Sequence, residues 1–208
     1  MASGIVVLLS GGLDSVVLAH KAKEMEALKG CLFINYGQPV WDMERAASRY
    51  WAGQLGVAWH ECNVTMNVTA MSGVGKKGPR VVHARNMVLA GLALNYAHDM
   101  DAQWVWMGAN KDDWAEYTDC RPEWFRHINA AQSSGVHGYQ EGGRWIEHVM
   151  ADEHPLIESP IIYDRAPRIL EMASQYGIDL SRVWSCYSPG RDSKPCGACN
   201  SCVRRGET

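Results

Sequence analysis

The run Ile5-Val6-Val7-Leu8-Leu9 followed by Ser10-Gly11-Gly12-Leu13-Asp14-Ser15 leaves the start of this chain few ways to fold. Consecutive apolar residues read as a buried strand, and Ser15-Val16-Val17-Leu18-Ala19-His20 begins a helix. Between them Gly11 and Gly12 permit a tight turn that wraps an anion with main-chain N–H groups, and the helix N-terminus adds partial positive charge. Ser10 and Ser15 supply hydroxyl donors, and Asp14 is placed to cap the helix or hold a cation. Two other phosphate loops are excluded by inspection, because the chain has neither GxxxxGK followed by Ser or Thr nor a GxGxxG opening a helix. The plainer alternative is an ordinary Gly-Gly turn before a capped helix.

Downstream, a first helix running to about residue 28 is followed by a strand at 31–36, a turn at 37–39, a helix at 43–55 and a strand at 57–62. This alternation predicts right-handed crossovers and a doubly wound, mostly parallel α/β sheet with helices on both faces. Ligands gather at the carboxyl ends of such strands, where the opening loop lies. Residues 63–79 are polar and without period, a loop able to close over a site; Lys76 and Lys77 either reach phosphates or are simply solvated. A nearly all-round apolar, buried helix is expected at 87–98, a fourth strand at 104–108, and a helix at 123–131 with Pro122 in its first turn. Residues 133–143 read as a loop, 144–149 as a short strand, 156–162 as extended, and 164–176 as a helix ended by Gly177.

The length of 208 residues suits one main core, divided as 1–180 for the α/β domain and 181–208 for a segment packed on it. A net charge of −3 does not advertise a polyanion partner. The sequence shows neither a leader pattern nor a membrane span, so a soluble cytoplasmic protein without a membrane or nucleic-acid partner is expected.

Four of the seven cysteines, Cys186, Cys196, Cys199 and Cys202, fall in a C-x9-C-x2-C-x2-C pattern. Four thiolates suit tetrahedral Zn²⁺ with no open position, so the expected task is to fold the tail; disulfides and an iron–sulfur cluster are the alternatives. Arg191, Lys194, Arg204 and Arg205 are near enough in sequence to offset the negative charge of that site. Cys31 and Cys62 read as core thiols, whereas Cys120, between Asp119 and Arg121, has a functional or a packing role.

The SGGxDS loop resembles the PP-loop of ATP pyrophosphatases. With Asn35-Tyr36-Gly37-Gln38, Arg85-Asn86, Asp119-Cys120-Arg121-Pro122, Trp184-Ser185-Cys186-Tyr187 and the tail Lys194-Pro195-Cys196-Gly197, Cys199 and Ser201-Cys202, the whole chain resembles the 7-cyano-7-deazaguanine synthase family. That resemblance implies an adenine nucleotide α-hydrolase-like fold and a homodimeric, zinc-containing ligase of queuosine biosynthesis. It would convert 7-carboxy-7-deazaguanine and ammonia, with ATP and Mg²⁺, through an acyl-adenylate and an amide to the nitrile. Carried over by position, Leu9, Ser10, Gly11, Gly12, Leu13, Asp14, Ser15, Val16, Val17 and Leu18 bind ATP, with Asp14 near magnesium and Ser15 on the pyrophosphate. Main-chain groups around Ile34 to Tyr36 receive the adenine, Asn86 lies beside the nucleotide, and Arg85, Asp119, Cys120 and Arg121 face the deazaguanine acid.

Three positions depart from the family pattern: Pro39-Val40 replaces basic residues, His83-Ala84 replaces Pro-Gly, and Asp164-Arg165-Ala166 stands where Thr-Lys is usual. Arg165 or Arg168 is the available substitute for the lost lysine, although Arg and Lys differ in shape and reach. These changes raise the alternative of a ligase that stops at the amide or joins the acid to another amine. A non-catalytic module whose zinc tail contacts a partner is the third reading.

Overall fold

Alternate residues of the first strand, β1 (Ile5–Leu8), enter different cores, and both cores are apolar. Ile5 and Val7 pack with Val16, Val17 and Leu18, whereas Val6 packs with Leu32, Ala90 and Val105. A strand buried on both faces belongs at the centre of a covered parallel sheet. This is its place in the computed structural model, which describes residues 3–67, 82–136, 138–141, 144–147, 155–189 and 194–206.

β1 lies between β2 (Leu28–Asn35) and β4 (Trp104–Trp106); β3 (Ala58–Asn63) flanks β2 and β7 (Leu156–Glu158) flanks β4. All four pairings are parallel, with Val7 opposite Cys31 on one side and Trp106 on the other. Helices α1 (Leu13–Glu24), α2 (Trp41–Leu55) and α5 (Ala166–Gln175) cover one face, and α3 (Arg85–Asp99) and α4 (Pro122–Val136) cover the other. Strand order 3-2-1-4-7 reverses direction between β1 and β4. Their outgoing loops therefore separate there, and the crevice they leave is where such sheets bind ligands. Val16, Val17 and Leu18 have no exposed surface and hold α1 to the sheet, at roughly 1.5–3 kcal/mol each. The doubly wound α/β expectation is met.

The boundaries differ in instructive places. α1 stops at Glu24 rather than near residue 28, because Leu28 is needed opposite Ile5 in the sheet, and Glu26 turns the chain at φ 56°. α3 buries one stripe, Asn86, Ala90, Ala93, Leu94 and Ala97, and leaves Met87 exposed, so it is a surface helix rather than a buried one. Residues 133–143 are not one loop: α4 continues to Val136, and β5 (Gly138–Glu141) pairs antiparallel with β6 (Arg144–Glu147). Cys31 is buried as expected, but Cys62 is partly exposed because β3 is a sheet edge. Lys76, Lys77 and Arg191 lie outside the described residues. No described helix is long and apolar enough to cross a membrane.

Candidate active site

The loop between β1 and α1 gathers donors in one small space. Gly12 N–H donates to Ser10 Oγ at 3.2 Å, Leu13 N–H to Ser185 Oγ at 3.3 Å, and Ser15 Oγ to the Gly12 carbonyl at 2.9 Å. Ser10 Oγ and Ser15 Oγ are 3.2 Å apart. Adjacent N–H groups and hydroxyls at a helix N-terminus form an anion-binding concavity. Gly11 takes φ +82°, and a Cβ there would meet Ala47 Cβ at 2.6 Å and Ser48 N at 2.8 Å. Glycine is thus demanded at Gly11 by α2 packing on the loop as well as by backbone angle.

A cavity of about 240 Å³ opens beside this loop, lined by Ser10, Gly12, Asp14 and Ser15, by Leu32 to Ile34 of β2, and by Met107, Gly108 and Asn110 after β4. Asp14 does not cap α1, whose N-cap is Gly12. Its carboxylate instead accepts from Asn110 Nδ2 at 3.2 Å. Desolvation and then the nearby Asp113 charge push its pKa up to about 7, against Asn110 and Arg204, which lower it. Asp113 also lines the cavity and pairs with Arg204 at 2.7 Å. Two carboxylates so arranged repel one another and favour a shared cation.

Elsewhere on the wall stand Tyr36, Gln38, Glu44, Arg85, Asn86 and Cys120. Gln38 is buried and fully used: its Oε1 accepts Tyr36 N–H at 2.8 Å, and its Nε2 donates to the Ile34 carbonyl at 3.2 Å and to Glu44 Oε2 at 2.9 Å. The main-chain groups at Ile34 and Tyr36 expected to receive adenine are therefore held by Gln38. Burial opposes the charge of Arg85, but Tyr36, Tyr187 and Cys120 outweigh it and raise its pKa; a guanidinium is in any case cationic at neutral pH. Burial, with Asp113 and Asp119, pushes the Cys120 thiol up to about 12, so it stays protonated at neutral pH. Asn86 Nδ2 lies 3.9 Å from that sulfur.

The tail forms another wall. Trp184 N–H donates to the Gly11 carbonyl at 2.9 Å, Ser185 holds Leu13 N–H, and Tyr187, Ser201, Arg204 and Arg205 line the cavity. The four cysteine sulfurs lie within 4.8 Å of one another. Two Sγ–Sγ separations, 3.4 Å for Cys199–Cys202 and 4.0 Å for Cys196–Cys202, bracket the ~3.8 Å edge of a tetrahedron with ~2.3 Å metal–sulfur bonds. Main-chain N–H groups of Ser188 and Cys196 reach Cys186 Sγ at 3.4 and 3.2 Å, and that of Cys199 reaches Cys196 Sγ at 3.3 Å. The donor set fits a metal held by four thiolates. Arg204 binds Asp113 and the Asp112 carbonyl, and Arg205 binds the Leu180 and Val183 carbonyls.

Of the residues singled out from sequence, Leu9, Ser10, Gly12, Leu13, Asp14, Ser15, Tyr36, Arg85, Asn86 and Cys120 meet at the cavity. Gly11 lies behind it, and Val16, Val17 and Leu18 are core residues away from its wall. Asp119 and Arg121 are not on the wall either; the exposed Arg121 donates to the Trp114 carbonyl at 2.7 and 3.0 Å. Arg165 and Arg168 turn outward to Asp112 and Glu171, both at 2.7 Å, while Ala166 faces the cavity. Sequence reasoning missed Asn110, Asp113, Gln38, Glu44 and Ser185 as site residues. Asn110 and Asp113 had a signal, since they follow β4 at the switch point; Ser185 sat inside a motif already quoted.

Comparison with known proteins gives a consistent result. A family profile for "Queuosine biosynthesis protein QueC" matches residues 4–208. The 7-cyano-7-deazaguanine synthases of Polynucleobacter asymbioticus and Rhizorhabdus wittichii are 32% and 33% identical, over 96% and 97% of this chain and 85% and 89% of theirs. That of Marinobacter nauticus is 33% identical over all of this chain and 92% of its own. Among solved structures, the U34-tRNA thiolase NcsA from Methanococcus maripaludis with its 4Fe–4S cluster aligns with TM-score 0.58 at 13% identity, over 99% of this chain and 64% of that one. The NMN synthetase from Francisella tularensis aligns with TM-score 0.54 at 15% identity, over 94% and 71%. These two likenesses establish the fold alone.

Proposed function

The chain belongs to the QueC family of queuosine biosynthesis proteins, and from that premise we propose that it uses ATP to convert 7-carboxy-7-deazaguanine and ammonia to 7-cyano-7-deazaguanine. A carboxylate oxygen of the substrate attacks the α phosphorus of ATP and pyrophosphate leaves. Ammonia then displaces AMP to give the amide. Adenylation of the amide oxygen by a second ATP releases a second pyrophosphate, and loss of AMP and two protons then leaves the nitrile.

The observation that carries this reading is the meeting of three groups on one cavity: the anion-binding loop Ser10–Ser15, the acidic pair Asp14 and Asp113, and the cation Arg85. Gly12 and Leu13 N–H groups with Ser10, Ser15 and Ser185 hydroxyls hold the pyrophosphate end, in the same region that fixes their geometry without ligand. Asp14 and Asp113 are the residues that would hold Mg²⁺, which supplies charge neutralisation at the phosphates. Arg85 grips the substrate carboxylate and orients it for attack. Asn86 and Cys120 shape the wall beside it, with Cys120 as a neutral contact rather than a nucleophile. Asp119 and Arg121 act at the substrate only if their segment moves, since neither side chain is on the wall. Cys186, Cys196, Cys199 and Cys202 would hold Zn²⁺, which supplies structure; residues 181–208 thereby become a wall of the 1–180 domain and keep water from the adenylate. Family membership extends the reading to a cytoplasmic homodimer, which light scattering on the purified protein tests.

A second reading, a ligase ending at the amide or at another amine conjugate, is favoured by one observation. Ala166 lines the cavity in the segment 164–166, around which the family pattern carries Thr-Lys, and Arg165 and Arg168 are paired elsewhere. Incubating the protein with ATP, Mg²⁺, the acid and ammonium and weighing the products decides between them. Nitrile supports the first reading, amide alone supports the second, and absence of any adenylate, amide or nitrile refutes both.

A further inference from the structure

The described carboxylates on the cavity wall are Asp14, Asp113 and Glu44. Asp14 and Asp113 act on each other and on Arg204, Asp113 as its ion-pair partner. Glu44 is separate: the charge that weighs on it is Arg85. Its one hydrogen-bond donor among the described residues is Gln38, at 2.9 Å, and Gln38 is itself locked to the main chain at Ile34 and Tyr36. The carboxylate is therefore held in one orientation by a residue that has no freedom to follow it.

A carboxylate has about four acceptor positions, and Glu44, half-buried on the cavity wall, has positions left for donors of a bound ligand. The chemistry of the donor follows from the neighbours. A guanine-type ring presents a carbonyl oxygen, a ring N–H and an exocyclic amino group side by side. Arg85, while holding the neighbouring 7-carboxylate, can also donate to the ring carbonyl, and Glu44 accepts from the two N–H groups. An adenine edge instead sets its amino group beside a ring-nitrogen lone pair, which a carboxylate repels. Asp119, the acid expected from sequence to read this edge, is not on the wall.

We infer that Glu44, positioned by Gln38 and accompanied by Arg85, reads the amino-pyrimidinone edge of the deazaguanine ring and so sets the specificity of this site for guanine-type substrates. The inference rests on the function proposed above. A site built to hydrogen-bond an amino group discriminates strongly against an analogue that lacks it, because its own polar group is left unpaired.

The test is calorimetric binding to the full-length, metal-loaded protein without ATP, so that turnover is not needed. The ligands are 7-carboxy-7-deazaguanine and its analogue lacking the 2-amino group. Wild-type protein is expected to bind the amino compound at least ~30-fold more tightly, and Glu44→Gln to lose at least ~30-fold for that compound and to discriminate less than ~3-fold. Affinity for the α,β-methylene analogue of ATP is expected to be unchanged. Retained discrimination in Glu44→Gln, or a loss that falls on the ATP analogue instead, overturns the inference while leaving the proposed function standing. A wild type that binds neither deazaguanine compound overturns both. Should Glu44→Gln fail to fold, Glu44→Asp carries the same test, since it keeps the charge but withdraws it by one methylene: loss for the amino compound alone supports the assignment, and no loss contradicts it.

Discussion

Replacing Glu44 by Gln makes the ligand-free protein more stable at alkaline pH and changes little at acid pH. Burial is the main reason that the Glu44 carboxyl is pushed from its ordinary 4.5 up to about 7, against the lowering effects of Gln38 and Arg85. A group whose pKa rises on folding holds its proton more tightly in the fold than in the unfolded chain. Its contribution is therefore fully present below pH ~4.5 and is lost as pH rises through ~7. The shift corresponds to ~3 kcal/mol at most, at 1.36 kcal/mol per pH unit. Glutamine keeps the hydrogen-bond geometry with Gln38 but has no charge to desolvate, so it does not carry this loss. Urea unfolding of both proteins at pH 5 and pH 8.5, without nucleotide, measures the effect. The variant should gain ~3 kcal/mol relative to wild type at pH 8.5 and about 0.8 kcal/mol at pH 5. An equal difference at the two pH values would refute the reasoning, because it would show that Glu44 is not ionising within the fold over that range.

Asp14→Asn should abolish adenylation, measured as pyrophosphate release, while raising stability above pH 7 by the same linkage, since the Asp14 carboxyl is pushed up to about 7 by desolvation. Normal turnover in that variant would contradict its assignment. Gly11→Ala should lose ~2 kcal/mol or more in denaturant unfolding, because φ +82° disfavours a side chain and Ala47 and Ser48 stand where the Cβ would go. Ala84→Gly should gain up to ~1 kcal/mol in the same assay, since Ala84 caps α3 at φ 56° and has no side-chain cap hydrogen bond. Cys199→Ser should lose metal, read by elemental analysis, together with pyrophosphate release, because the tail carries Trp184 and Ser185 onto the loop; full metal content would show that the four-cysteine set is wrong.

The parts of the fold legible in the sequence were those where local and tertiary demands coincide. The apolar run before Ser10 is both a good strand and a strand buried on two faces, and the loop after it lies at the switch point such a sheet creates. The end of α1 was not legible, because residues 25–28 are good helix formers and only pairing of Leu28 with Ile5 takes them out of the helix. The all-round apolar look of residues 87–98 misled for a related reason: Met87 is apolar but is 56% exposed, off the stripe that α3 buries.

At the candidate site, motif residues on the loop and in the Arg85-Asn86 pair were readable because glycine, serine and buried charge are conspicuous. Glu44 was not, because alone it looks like an ordinary polar surface residue; Gln38 stood in a quoted motif, but its task of holding Glu44 depends on a hydrogen bond from the turn after β2 to the first turn of α2. Ser185 needed the fold to bring it across 172 positions to Leu13. The four-cysteine spacing pointed to a cluster able to hold a metal but not to the tail walling the cavity, which depends on the Trp184–Gly11 hydrogen bond.

The central claim is that the substrate carboxylate attacks the α phosphorus of ATP held on the Ser10–Ser15 loop. The direct measurement uses 7-carboxy-7-deazaguanine carrying ¹⁸O in both carboxylate oxygens, with ATP, Mg²⁺ and ammonium, and weighs the AMP formed in the first turnover. The account predicts AMP carrying one ¹⁸O, with pyrophosphate unlabelled. AMP without label, or ADP and phosphate in place of AMP and pyrophosphate, would contradict it.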